Sequence, residues 1–186
     1  MTYTRGVSDL VLDPDRSRVR IHTYAEGLLA RLAHDLELVC GDLTGSGSRT
    51  ADGGTARVEA RLGAMTIAGT LHDDRVNESG LSPSDKHDAL EKMKKEVFHA
   101  GADARVVVEA ALERGTARVK LTPPNGRIFE ATAKVDVEGD GDGARAKGSF
   151  DVSLAKIGSD PVKGPMGAFR IKDRVVVLFD LVFAKK

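Results

Sequence analysis

The sequence predicts an all-β fold: a closed or nearly closed antiparallel barrel of about eight strands, with one amphipathic helix inserted. Most of the chain alternates apolar and polar residues, as strands do when one face meets the core and the other meets water. A single stretch, 83–98, abandons this alternation for helical spacing. Strands with one apolar face must protect their edges, and closure into a barrel does so completely.

The first two strands set the pattern. In the first, Val19 and Ile21 share a face, while Arg18, Arg20 and His22 share the other. In the second, Leu36 and Leu38 alternate with Asp35 and Glu37, and the same parity puts His34 on the side of the leucines. We therefore expect His34 inside the barrel, near one of its ends.

Six further segments alternate in the same way and complete the set of strands. They cover residues 57–62, 105–112, 118–121, 129–137, 150–154 and 174–183. Clusters of Gly, Ser and Asp between the strands predict turns at 45–48, 52–54, 114–115 and 139–143. The turns at 114–115 and 139–143 are expected to join neighbouring strands as hairpins.

The helix is predicted by its start signal and its periodicity. Ser82 suits the N-cap, Pro83 the first helical position, and Asp85 the acidic position of a short capping box. Leu90, Met93 and Val97 then recur at helical spacing, and the helix is expected to stop before Gly101.

Length and composition narrow the class of protein. The 186 residues suit one domain over 1–186, and the formal net charge of zero, with 4% aromatic residues and no Trp, argues against a nucleic-acid partner. One cysteine, Cys40, excludes an internal disulfide.

No apolar run approaches the roughly 20 residues that span a bilayer, so we expect no stable membrane insertion. The N-terminal residues lack signal-peptide features, which predicts a cytoplasmic protein.

Small inward-facing residues favour a hollow barrel. Ala60, Ala110, Ala131 and Ala133 all fall on apolar faces of predicted strands. An eight-stranded barrel is either just filled by its own side chains or holds one ligand, and short side chains favour the ligand. The alternative is that the alanines let opposite walls approach closely.

The order of several short motifs resembles the YceI-like family of polyisoprenoid-binding proteins, which have a lipocalin-like barrel. The matching parts are residues 13–21, the motif Ala33-His34-Asp35-Leu36, the helix around residues 90–93, and the stretches 156–160 and 164–170. The chain is most similar to a cytoplasmic branch with a His-Asp-Leu type of motif. The resemblance implies an apolar tunnel that holds an isoprenoid or other lipid chain.

These observations predict a non-enzymatic protein that binds an apolar chain, isoprenoid or fatty-acyl, for storage, transport or sequestration. The alternative is an interaction module with a self-filled barrel, and a hydrolase or isomerase using His34 is a remote third. No nucleophile elbow, phosphate loop, dinucleotide fingerprint or paired metal-ligand spacing occurs, so we expect no catalytic residues, cofactor or metal. The sequence leaves open whether the protein forms a homodimer. The predicted ligand-binding residues are His34, Leu36, Leu38, Val108, Ala131, Phe150, Met166, Phe169 and Phe179.

Two of these assignments have structural alternatives. His34 either contacts the polar head of a ligand or satisfies a partner within the protein. The loop with Met166 and Phe169 is either a lid over a barrel end or a plain crossover. Lys163 and Arg170 in that loop could neutralise an anionic head group.

Overall fold

The computed structural model describes residues 8–27, 33–73, 75–139 and 143–185. Within these ranges the chain is mostly β-structure. The strands are β1 (Ser8–Leu12), β2 (Arg18–Thr23), β3 (Ala25–Glu26), β4 (Asp35–Cys40), β5 (Leu43–Arg49), β6 (Gly53–Arg61), β7 (Thr66–His72), β8 (Arg75–Asn77), β9 (Arg105–Glu113), β10 (Thr116–Thr122), β11 (Phe129–Glu138), β12 (Gly143–Ser153), β13 (Arg170–Ile171) and β14 (Arg174–Lys185).

Eight strands close into an antiparallel barrel, which confirms the predicted fold class. The hydrogen-bonded order is β1-β5-β6-β9-β10-β11-β12-β14, and β14 pairs again with β1. The remaining strands of this sheet, β2, β4, β7 and β8, continue from β14 in that order.

Three walls of the barrel are each made of two consecutive strands separated by a bend. β14 pairs with β1 at Leu12 and, after residues 13–17, with β2 at Arg18. In the same way β4 leads into β5, and β6 leads into β7 through a short 3₁₀ turn at Leu62–Ala64. These three walls and β14 therefore remain paired with one another on both sides of each bend.

The bend between β4 and β5 accounts for the glycine at position 41 and the backbone conformation of Asp42. A Cβ on Gly41 would lie 2.6 Å from the carbonyl oxygen of Ala64, so only glycine fits. Asp42 has a φ of +48°, and its carboxylate accepts hydrogen bonds from Arg61 at 2.6 Å and Arg105 at 3.2 Å. The bond from Arg61, aided by the charge of Arg105, lowers the pKa of Asp42.

All eight predicted strands are present, but the predicted turn at 45–48 is wrong. These residues belong to β5, which pairs with β1 and β6. The glycines are accommodated because β6 approaches closely: a Cβ on Gly45 would lie 2.5 Å from the carbonyl oxygen of Arg57. The short β1 and the irregular β7, whose register shifts opposite Glu37 and Leu38, were not predicted.

The predicted helix at 83–98 is confirmed as one continuous helical segment. Helix α1 (Pro83–Lys92) begins at the N-cap Ser82, whose hydroxyl accepts the Asp85 amide and donates to its carboxylate. A π-helical turn, Met93–Phe98, follows directly. No helix in the described part of the chain is long and apolar enough to cross a membrane.

We name the two ends of the barrel by what lies there. The turn end carries the tight connections β5–β6 and β9–β10, the latter at Arg114 and Gly115 as predicted. The helix end carries α1 and the connection between β12 and β14, residues 154–173. Strands β3 and β13 pair with each other at this end.

Candidate functional site: the barrel cavity

A cavity of about 1120 Å³ occupies the barrel interior and reaches both ends. Asp52 and Gly53 line it at the turn end, and Met93, Val162 and Phe169 line it at the helix end. Pockets for drug-sized ligands usually measure roughly 300–1,000 Å³. The barrel is therefore hollow enough to hold a sizeable molecule.

The cavity wall is apolar because the strands alternate. Val19, Ile21, Leu36 and Leu38 point inward, whereas their neighbours Arg20 and Glu37 lie on the outer face. Many of the inward residues near the turn end are small. They include Gly47, Ala56, Ala110, Ala117, Ala144 and Ala146.

Most predicted ligand-binding residues lie on the cavity wall. They are Leu36, Leu38, Val108, Phe150, Phe169 and Phe179, with His34 at the rim. Ala131 packs against the core but does not line the cavity, whereas its cross-strand partner Val119 does. Met166 is fully exposed at the tip of its loop, where it adopts a φ of +52°.

His34 is not the interior strand residue that its parity predicted. β4 begins at Asp35, one residue later, and His34 is exposed. It still lines the mouth of the cavity at the helix end. The segment before it, 28–32, lies outside the described residues.

Two aromatic rings share the inner wall near the middle of the barrel. The centroids of Phe150 and Phe179 are 6.3 Å apart with the planes at 49°, within the range of favourable tilted ring pairs. Gly148 leaves room for this arrangement, because a Cβ there would lie 2.7 Å from the Cζ atom of Phe179. The rings present a broad apolar surface to the cavity.

Cys40 is a cavity residue without a reactive thiolate. Its side chain is buried and lines the cavity. Burial raises the pKa of the Cys40 thiol to about 12, so the sulfur stays protonated at neutral pH. The thiol therefore adds to the apolar wall.

Charged groups on the cavity surface lie at its two ends. Arg49, Asp52 and Arg114 lie at the turn end. Asp85, Asp88, Lys92 and Lys163 lie at the helix end, where the Lys92 ammonium donates to the Lys163 carbonyl. Arg170, predicted as a second cation for a head group, instead pairs with Glu26 at 2.6 Å. The strand-built wall between the ends is apolar.

Sequence reasoning missed a buried pair on the outer face. His22 and Glu37 are 7% and 6% exposed, and His22 Nε2 lies 2.8 Å from Glu37 Oε2. The residues are direct partners across β2 and β4, and the Arg20 guanidinium lies 3.6 Å from the same carboxylate oxygen. The sequence places both residues on the polar faces of their strands, but it does not show the register that makes them partners.

The described residues hold no cluster suited to a metal ion. No group of three or more His, Cys, Asp or Glu side chains converges within ranges 8–27, 33–73, 75–139 and 143–185. The His72-Asp73 pair is an exposed contact at 3.8 Å. The site is therefore characterised by shape and apolar surface.

Comparison with known proteins supports the fold. Neither a family model nor a curated protein matches the sequence. Among solved structures, the crystal structure of BcnA from Burkholderia cenocepacia is similar, with a TM-score of 0.62 and 15% sequence identity. The alignment covers 92% of this chain and 98% of that chain. At this identity the likeness establishes a shared barrel fold.

Proposed function

We propose that this protein binds one apolar chain, an isoprenoid or fatty-acyl chain, inside its barrel without catalysing a reaction. The observation that carries the proposal is the continuous apolar cavity of about 1120 Å³. Each Å² of apolar surface removed from water contributes roughly 25 cal/mol, so a long chain can bind tightly through its tail alone.

The shape of the site favours this function over the interaction module. A self-filled barrel would have its axis closed by side chains, whereas here small residues such as Ala56 and Ala110, partners on adjacent strands, line an open interior. Membership of the YceI-like family and a cytoplasmic location are part of the same proposal. The shared fold with BcnA supports the first.

Native mass spectrometry of protein purified from its own host tests the proposal. We expect a population heavier than the 19.8 kDa chain by the mass of one lipid, which disappears when the same sample is denatured. Extraction and mass analysis of the organic phase identify the lipid. A bare chain that co-purifies with a stoichiometric protein would instead support the interaction module.

A further inference from the structure

The barrel wall has two seams at the helix end, where neighbouring strands stop pairing. β6 pairs with β9 up to Arg61, but its continuation β7 pairs with β8 instead. On the other side, β11 pairs with β12 only over residues 134–138, so residues 129–133 lie beyond the paired stretch. Each seam must be covered by something other than a strand.

The seam between β11 and β12 is sealed by buried packing. Ile157, from the connection after β12, is 2% exposed and belongs to the core. Its carbonyl accepts a hydrogen bond of 2.8 Å from the Asn125 amide, which comes from the connection before β11. The two connections therefore close this seam together.

The seam between β7 and β9 is covered by α1, and this cover is much looser. None of the residues of α1 is buried, although Asp85, Asp88 and Ala89 line the cavity. Among the described residues, one ammonium ties its first half to the strands: Lys86 Nζ donates to the carbonyl oxygens of Ala68 at 3.2 Å and Glu78 at 3.0 Å.

The other end of the helical segment is fixed. Val97 and Phe98 in the π-helical turn are buried, and the Asp160 amide donates to the Glu96 carbonyl at 2.9 Å. Leu81, before the helix, and Ala89 and Leu90, in its second half, pack against the core but are only partly buried. A segment that is firmly anchored at one end and held this lightly at the other can open about the anchored end. Regions with little burial and few buried contacts open at low free-energy cost.

We propose that α1 is the cover of a side portal, and that its first half moves off β7 to admit an apolar chain between β7 and β9. This inference rests on the proposed function. Asp85 and Asp88, two of the charged groups at the helix end, belong to α1 and move away with it. Entry through the opened seam then lets the chain slide in along its length, without passing tail first through the charged turn end. Lys86 is the latch and the π-helical turn is the hinge.

A disulfide that ties the connection before α1 to β7, at one edge of the seam, tests the portal. A Cβ on Gly80 would lie 3.0 Å from the Cβ of Thr70, so a bridge between cysteines there needs the two atoms to separate by roughly 0.5–1 Å. The pair Thr70→Cys/Gly80→Cys is made in a Cys40→Ala background. Uptake and release of a fluorescent fatty acid are followed by stopped flow in the oxidised and reduced forms.

We expect the oxidised form to exchange the probe at least tenfold more slowly than the reduced form, with nearly the same equilibrium affinity. The matched control is Ala111→Cys/Arg118→Cys, a directly opposed pair on the outer face towards the turn end. Its oxidation should change the rates less than twofold, because this part of the wall stays paired.

A second variant decides the question if the disulfide protein does not fold. Lys86→Met keeps the aliphatic stem but removes the ammonium, so it should raise both uptake and release rates about threefold or more. Lys95→Met, on the exposed side of the same helical segment, is its control.

Two results would overturn the portal. The first is unchanged rates both in Lys86→Met and in the oxidised Thr70/Gly80 variant. The second is slowing only in the oxidised Ala111/Arg118 control, which would place entry elsewhere. A parent protein that binds no probe at all would instead refute the proposed function.

Discussion

The two ends of the barrel are built by different means. At the turn end the strands stay paired up to short connections, such as Arg114-Gly115 between β9 and β10, and many of the inward residues are Gly or Ala. At the helix end the ladder breaks into two seams, and larger side chains such as Leu62, Met65 and Ile67 face inward. The cavity thus gains its volume from small side chains and its access from interrupted pairing.

Truncation of core leucines should show the largest difference between the ends. Leu62 is 2% exposed where β6 bends towards the helix end, whereas Leu112 at the turn end is only partly buried. Leu62→Ala should lower the free energy of unfolding by about 2–5 kcal/mol, because it removes packed atoms and leaves a void. Leu112→Ala should cost less than half as much, because its neighbourhood is already hollow. Urea denaturation measures the unfolding free energy of both variants. Equal losses would contradict the claimed difference in packing between the two ends.

The outer face of the helix end depends on the buried pair of His22 and Glu37. His22→Ala leaves the Glu37 carboxylate buried without its 2.8 Å partner. We expect a loss of about 1–3 kcal/mol in unfolding free energy, the usual cost of an unsatisfied buried polar group. Arg20→Ala is the control, since that side chain is 41% exposed and an exposed ion pair contributes about 1 kcal/mol or less. Chemical denaturation measures the unfolding free energy of both variants. A larger loss in Arg20→Ala than in His22→Ala would contradict this prediction.

An exposed pair towards the turn end should have the smallest effect, and one that depends on pH. Arg145 donates two hydrogen bonds of 2.7 Å to Asp180 across β12 and β14, and they lower the pKa of Asp180. Because the folded pKa is depressed, the stabilisation is present above the ordinary Asp range of about 3.9 and is lost as pH falls through the lowered value.

Thermal melts of Arg145→Gln and the parent check this sign. The variant should melt slightly earlier at pH 7, and the difference should shrink steadily below about pH 4. A difference that grows on acidification would show that another group is responsible.

The sequence was sufficient for features that are written locally, in period and capping. The alternation around Val19 and Ile21 identified an inner wall, and Ser82 with Pro83 located the start of the helix. It was insufficient for features that depend on which residues of distant strands pair with each other. β5 resembled a turn because its inward glycines are explained only by the approach of β6, and the His22–Glu37 contact exists only once β2 and β4 pair.

The candidate site shows the same division. Parity placed Leu36, Leu38 and Phe179 on the cavity wall, because that property needs only the strand period. Parity alone could not show that β4 starts at Asp35, which leaves His34 at the rim, or that Met166 points to solvent from a turn with positive φ. The cover formed by α1 also depends on which strands lose their partners.

The central claim, that the hollow interior is a binding site for an apolar chain, is tested most directly by filling it from one strand of the turn end. Ala110 lines the cavity and faces Ala56 on the neighbouring strand, whereas Ala111, the next residue, is exposed on the outer face. Equilibrium titration with a fluorescent fatty acid compares the parent, Ala110→Phe and Ala111→Phe. We predict that Ala110→Phe weakens binding at least tenfold while remaining folded by circular dichroism, and that Ala111→Phe binds like the parent. Equal affinity in all three proteins would contradict the claim.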